Sequence, residues 1–311
     1  MKVFYHNDLD GKCAAAVILQ KDPDAEIGTC TVKMQYGDDF PFGCIGKDET
    51  VYILDYSIEP EEMKKLLRIT ENVIWIDHHK TAIEKYADFL WVDSGLAERT
   101  ASEADIPGLR QEWGSGCELA FAYIHAITRR TSVSAARGNT PRYVQLIGDR
   151  DTWAWEYGND TRDFFAGMLS QDADPSSPVW ESLANDDTGA FLYKTMADGQ
   201  IIDAYRSLNH QEALIDTGFE VDFRGHKCYA VNGRYDSKPF EALFPEKDIW
   251  LTFRFMGKNK CWMVSLYSDK VDVSEIAKQY EYHGKRGGGH KGAAGFECDY
   301  PPFLLRSTDE S

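Results

Sequence analysis

Asp77-His78-His79 sets a carboxylate and two imidazoles side by side, directly after the apolar, β-prone run Asn72-Val73-Ile74-Trp75-Ile76. Two earlier stretches repeat the pattern. Lys2-Val3-Phe4-Tyr5 leads into His6-Asn7-Asp8-Leu9-Asp10-Gly11, and Val51-Tyr52-Ile53-Leu54 leads into Asp55. Ligands of open α/β sheets bind at the carboxyl ends of the strands, so three such tips are expected to converge on one site. His6, Asp8 and Asp10 alternate, and alternate side chains of an extended segment point the same way. A mixed carboxylate–imidazole set suits Mn²⁺, Fe²⁺, Zn²⁺ or Co²⁺, whereas carboxylates alone lean to Mg²⁺ or Ca²⁺. The donors are too many for one tetrahedral ion. Two ions about 3.5–4 Å apart, bridged by a carboxylate, would use them all and would suit phosphoryl chemistry. In the plainer reading the acids are N-caps and turn residues and the histidines are satisfied core groups. That reading serves any single cluster, but it fits poorly three clusters that each fall at a strand tip.

Gly148-Asp149-Arg150-Asp151 offers a further carboxylate after a short helix. Asp149 is taken as the metal ligand with Asp151 as its competitor, while Arg150 between two acids also fits a surface ion-pair pattern. Far along the chain, Gly287-Gly288-Gly289-His290 is flanked by Lys285, Arg286 and Lys291. Adjacent glycines let backbone N–H groups approach an anion, and the cations add charge for phosphate. A flexible loop is the ordinary alternative. Arg129, Arg130, Arg137 and Arg142 read as a solvated basic loop. Trp153, Trp155, Trp180, Trp250 and Trp262 could stack a base, but most are expected in the core.

The elements that must position these groups follow the same order. Strands are expected at 2–5, 30–35, 51–54 and 73–76, and helices at 11–20, 60–67 and 117–127. Residues 93–113 read as a loop, and 132–141, rich in Ser, Ala and Gly, as a mobile one. A short helix over 141–147 ends before Gly148. Residues 179–215 look helical. Strands follow at 219–223 and 227–231 across an Arg224-Gly225 turn, then at 249–255 and 261–267, with a short helix over 273–279. The residues after Leu305 are expected to fray.

The 311 residues suit two domains, and 43% hydrophobic content allows each a core. The boundaries are placed at 1–170, a helical linker at 171–215, and 216–311. A formal net charge of −17 argues against a tight grip on long nucleic acid, which needs a basic stripe, but agrees with a site that collects divalent metal. Seven scattered cysteines, none spaced as C-x-x-C, read as reduced thiols in a cytoplasmic protein. No signal peptide and no run of about 18 apolar residues is expected, so no membrane partner is assigned.

Taken together these residues resemble the DHH phosphoesterases that carry the DHH-associated C-terminal domain. Asp77-His78-His79 is similar to the name-giving motif. His6-x-Asp8-x-Asp10-Gly11 resembles the first motif, Asp55 the second, Gly148-Asp149 the fourth, and Gly288-Gly289-His290 with Ala293-Ala294-Gly295 the substrate-binding signature. The resemblance implies an α/β fold: a parallel-sheet catalytic domain and a smaller C-terminal α/β domain with a mixed sheet. It implies two divalent ions, Mn²⁺ first and Mg²⁺ or Co²⁺ next. His6, Asp8 and Asp55 would hold one ion, and Asp10, Asp55, His78 and Asp149 the other. His79 would touch the scissile phosphate and Asp77 would orient the histidines. His290, Arg286 and Gly287 to Gly289 would bind substrate phosphate. The expected activity is hydrolysis of short oligonucleotides to nucleoside 5′-monophosphates. The alternatives are a phosphodiesterase for cyclic or linear signalling dinucleotides, a phosphatase for 3′-phosphoadenosine 5′-phosphate, a RecJ-like single-strand exonuclease, and a non-catalytic nucleotide-binding module. A homodimer is left open.

Overall fold

The computed structural model describes residues 1–22, 25, 29–86, 90–91, 99–100, 106–235 and 237–304. Much of the stretch read as a loop over 93–113, and the residues after 304, lie outside the described ones. The chain divides into two compact units, Met1–Ile202 and Asp203–Ser311.

The first unit is built on a four-stranded parallel sheet: β1 Lys2–His6, β2 Cys30–Met34, β3 Val51–Leu54 and β4 Val73–Ile76, in the order β2-β1-β3-β4. The strands are short and rich in β-branched and aromatic residues, and they alternate between two cores as a pleat requires. Val3, Tyr5, Tyr52 and Leu54 face one core, Phe4, Val51, Ile53 and Trp75 the other. The first core is covered by α1 (Leu9–Lys21) and α4 (Gly116–Arg129). Ala14, Ala15 and Ala16 of α1 are buried there; such small side chains permit close helix packing. The second core takes Met63 and Leu66 of α2 (Pro60–Leu67). After β4 come α3 (Lys80–Lys85) and a two-residue pair, β5 (Leu90–Trp91) with β6 (Arg99–Thr100). The segment before α4 then lies along β4: Trp75 N–H donates to the Pro107 carbonyl and Asp77 N–H to that of Leu109.

Four more helices follow: α5 Val133–Arg137, α6 Arg142–Asp151, α7 Asn159–Met168 and α8 Pro178–Ala184. α5 forms in the stretch expected to be a mobile loop, because the Ser132 hydroxyl accepts from Ala135 N–H and starts a turn. The helix expected over 141–147 runs on to Asp151, a difference that matters for the site. α9 is a single helix over Ala190–Thr217, and the boundary between units falls inside it. Val179, Trp180, Leu183 and Met196 belong to the first unit's core. The stretch 171–215 is therefore shared between the two units rather than forming a separate linker.

The second unit carries a six-stranded mixed sheet. β7 (Phe219–Phe223), β8 (His226–Asn232), β9 (Ile249–Met256) and β10 (Cys261–Tyr267) are joined by β13 (Gly288–His290) and β14 (Ala293–Cys298). The order is β13-β14-β10-β9-β8-β7, with only β8 and β9 parallel. α10 (Lys238–Leu243) lies between β8 and β9 in sequence. After β10 come α11 (Val273–Ala277) and the small pair β11 (Glu281–Tyr282) and β12 (Lys285–Arg286). Gly288 to His290, where a flexible loop was the ordinary alternative, forms a hairpin strand. Gly289 lets it lie close on β14, where a Cβ would meet Ala294 Cα at 2.6 Å. No helix among the described residues is long and apolar enough to cross a membrane.

Candidate metal centre

The strand register lines up the chemistry. Tyr5 lies opposite Leu54, and Leu54 opposite Ile76, so the next residues, His6, Asp55 and Asp77, end three adjacent strands in a row. β1 has β2 on one side and β3 on the other. The connection direction reverses there, at the kind of switch point that opens a crevice at the strand ends.

His6, Asp8 and Asp10 do not share one extended segment. His6 closes β1, Asp8 is the N-cap of α1 with its carboxylate accepting from Gly11 N–H at 2.9 Å, and Asp10 lies in the first helical turn. His6 Nδ1 nonetheless comes within 2.7 Å of Asp8 and 3.7 Å of Asp55. Asp10 reaches across to the start of α4, where its carboxylate accepts from the Ser115 hydroxyl and from Gly116 and Cys117 N–H groups. A helix N-terminus favours an anion in this position. Gly116 makes the approach possible: a Cβ there would sit 2.5 Å from Asp55 Cβ and 2.9 Å from an Asp10 oxygen.

Asp55 is the centre of the constellation. It holds a left-handed backbone, φ 52°, at the end of β3, and it is fully buried. His78 Nε2 is 3.2 Å from one of its oxygens and His79 Nδ1 3.9 Å. Both Asp55 oxygens, His6 Nδ1 and His78 Nε2 are buried together without an aligned hydrogen bond. A buried carboxylate without donors is costly unless a cation neutralises it. Burial, and next the charge of Asp10, push the Asp55 carboxyl well above its ordinary range. Burial opposes charge on His6 as well, but Asp55 and Asp8 outweigh it and raise the imidazole to about 10.

Asp77 contributes differently. It is buried, and its Oδ1 accepts from both the backbone N–H and Nδ1 of His79, the latter at 2.8 Å. It thus fixes the His79 ring rather than that of His78, and this contact raises the His79 imidazole above its ordinary value.

The fourth motif is where the structure departs from expectation. α6 extends through Asp151, and residues two apart on a helix point about 200° apart. Only one of Asp149 and Asp151 can face the cluster. Asp151 does, 3.3 Å from His78 Nε2. Asp149 faces the following turn, where it accepts from Glu156 N–H, Tyr157 N–H and the Thr161 hydroxyl. It lies in none of the donor triplets, whereas Asp151 does, so the structure favours the competitor for the ligand role. Burial, and then the charges of Asp10 and Asp55, push the Asp151 carboxyl up to about 8.

Three donor triplets are close enough to hold an ion: His6, Asp8 and Asp55; Asp55, His78 and His79; and Asp10, His78 and Asp151. Asp55 and His78 each serve two of them. The buried donor atoms left without hydrogen bonds, and the burial and carboxylate crowding that raise Asp55 and Asp151, fit a divalent cation pair, whose charge would offset both effects.

Two neighbours carry no sequence signal strong enough to have been singled out as site residues. Tyr36, after β2, sets its hydroxyl 3.5 Å from His79 Nδ1, with its ring 5.3 Å from those of His6 and Tyr56. Glu118 accepts from Ser115 N–H and packs against Gly148, so it braces α4 against α6. Its signal was legible as the Ser-x-x-Glu pattern of a capping box.

In the second unit, Lys285, Arg286, His290 and Lys291 are all exposed around the β13–β14 hairpin, while Gly287 and Gly288 are half-buried. Arg286 pairs with Glu281 across the small β11–β12 ladder.

Residues 244–303 match the family model of the DHHA1 domain. No curated protein matches the chain. Among solved structures it is similar to the pGpG-specific phosphodiesterase PggH from Vibrio cholerae, at 14% identity over 95% of this chain and 92% of that one, with a TM-score of 0.41. It is similar to the DHH domain of PF0399, a member of a family of ribosomal proteins, at 12% identity over 94% and 81%, TM-score 0.48. RecJ from Thermus thermophilus in complex with Mn²⁺ is similar at 18% identity over 95% of this chain and 49% of that one, TM-score 0.44.

Proposed function

We propose that this DHH-family chain, with its DHHA1 domain at residues 244–303, is a metal-dependent phosphodiesterase acting on short oligonucleotides and releasing nucleoside 5′-monophosphates. The observation that carries the reading is Asp55: a fully buried carboxylate, with neither oxygen hydrogen-bonded, grouped with the imidazoles of His6, His78 and His79 and the carboxylate of Asp8. A buried carboxylate left without aligned donors is shaped to meet a cation.

His6, Asp8 and Asp55 would hold one ion, and Asp55, Asp10, His78 and Asp151 the other. Mn²⁺ is the first choice because the donors mix nitrogen and oxygen. When bound, such a pair lowers the pKa of a water and neutralises charge on the phosphoryl oxygens. The protein supplies the rest. Asp10 stays fixed by the N-terminus of α4, so its position does not depend on the ions. Asp77 accepts the Nδ1 proton of His79 and holds that ring, leaving Nε2 to donate to a phosphate oxygen while the imidazole is charged. His290 and Arg286, exposed on the second unit, are kept as candidates for phosphate contact.

The test is hydrolysis of a 5′-phosphorylated RNA dinucleotide with Mn²⁺, against a chelator control, with a cyclic dinucleotide run in parallel. Chelator-sensitive release of mononucleotides from the linear substrate is the expected result. Release unaffected by chelator would sink the metal reading. Cleavage of the cyclic substrate alone would replace the proposed substrate.

A further inference from the structure

We infer that Trp153, with Arg150 and Phe165, forms a nucleobase-stacking subsite beside the metal cluster. The inference deepens the proposed function and rests on it for the placement of the phosphate.

Three observations meet here. The first is exposure. Trp153 is 67% exposed, while Trp180 and Trp250 are buried as core residues. The second is backbone conformation. Trp153 has φ 57°, in the left-handed region that costs a bulky side chain about 1–2 kcal/mol. The ring meets the Arg150 guanidinium and the Trp155 ring, 5.8 Å away edge-on, and still stays largely exposed; strain of this kind persists where the surroundings impose it. They do so here. The Asp149 carbonyl accepts from Ala154 N–H, and its carboxylate accepts from Glu156 N–H and Tyr157 N–H. Asp149 thereby acts as a positioning residue: the carboxylate that turns away from the cluster ties down the turn that presents Trp153.

The third observation is what this turn borders. A cavity of about 200 Å³ is walled by Trp153, Phe165 and Arg150 and also by Asp8, Asp10 and Asp151. Its walls combine two aromatic rings and a cation with three of the carboxylates assigned to the metals. The Arg150 guanidinium carbon lies 4.3 Å from the centre of the Trp153 ring and 5.1 Å from that of Phe165, which gathers the two aromatic surfaces around one cation. A second cavity of about 520 Å³ shares Asp8 and Phe165 with the first and gives room beyond it. A nucleotide with its phosphate at the carboxylate end would bring its base against the ring of Trp153. Stacking of this kind tolerates any base, so the subsite would favour nucleotides over plain sugar phosphates without reading sequence.

The experiment is equilibrium binding of adenosine 5′-monophosphate and of ribose 5-phosphate to the full chain in saturating Mn²⁺. The wild type is expected to prefer the nucleotide by roughly tenfold or more, the scale of one base stack. Trp153→Ala should bring the two ligands to equal affinity, and Trp153→Phe should keep most of the preference. Equal affinity in the wild type, no binding of the nucleotide, or a preference that survives Trp153→Ala would each overturn the inference. Failure here is separable from failure of the hydrolase reading. A preserved preference with no dinucleotide turnover sinks only the hydrolase; turnover without preference sinks only the subsite.

Discussion

The ends of β1, β3 and β4 and the end of α6 deliver site side chains to the same place by different means. At the strand tips the register decides. Once Tyr5, Leu54 and Ile76 are aligned, the residues that follow them must be neighbours. At the end of α6 the helical phase decides, and a difference of a few residues in where the helix stops exchanges one aspartate for another. Asp149 and Asp151 are close in sequence and opposite in role, one saturated by hydrogen-bond donors and the other beside His78. A strand tip is therefore a sturdier guide to a ligand than a helix end.

Substitutions can break that comparison or sharpen it. Asp55→Asn should have the largest effect, with metal content falling to background and turnover dropping by roughly 100-fold or more, since the residue serves two donor triplets. Retained metal by elemental analysis would refute the central position of Asp55. Asp151→Asn should weaken metal binding by about 10-fold or more while leaving the melting temperature of the metal-free protein unchanged or higher, because a crowded buried carboxylate is removed. Asp149→Asn should do the reverse. Its metal content should hold, while the fold loses about 1–3 kcal/mol as a buried acceptor of three hydrogen bonds is compromised. If the two variants exchanged behaviour, Asp149 would return as the ligand. Gly116→Ala should cost about 10-fold in turnover by pressing a methyl group on Asp55, with a smaller loss of metal. His290→Ala should have the smallest effect, a KM increase of a few-fold with metal content unchanged; a loss of metal would move that residue into the centre.

What the sequence made legible follows the same division. Apolar runs such as Val51 to Leu54 ending in Asp55 identified the strands and their tips, because both the strand signal and the acid are local. The mixed α/β class followed from the same alternation. The end of α6 was not legible, because Gly148 looks like a stop. It is a glycine for another reason: a Cβ there would lie 2.4 Å from Glu118 of α4, a neighbour thirty residues away in sequence. Gly287 to Gly289 misled similarly. Their composition suggests a loop, yet Gly288 to His290 forms a strand; Gly289 is required by the close approach of Ala294, and Gly287 by Ala277 and Phe296. Tyr36 left no trace at all, since nothing near residue 36 announces that its ring will stand over His6 and His79.

The left-handed backbone of Asp55 has a consequence for anyone searching this protein by random mutagenesis. Glycine and asparagine are the residues that tolerate φ near +52°, and neither places a charge where Asp55 does. A library sorted by thermal survival of the metal-free protein should enrich both at position 55. The same library sorted by retention of Mn²⁺ should purge them. The position would head one ranking and close the other, and that inversion would locate the active centre without a substrate ever being named.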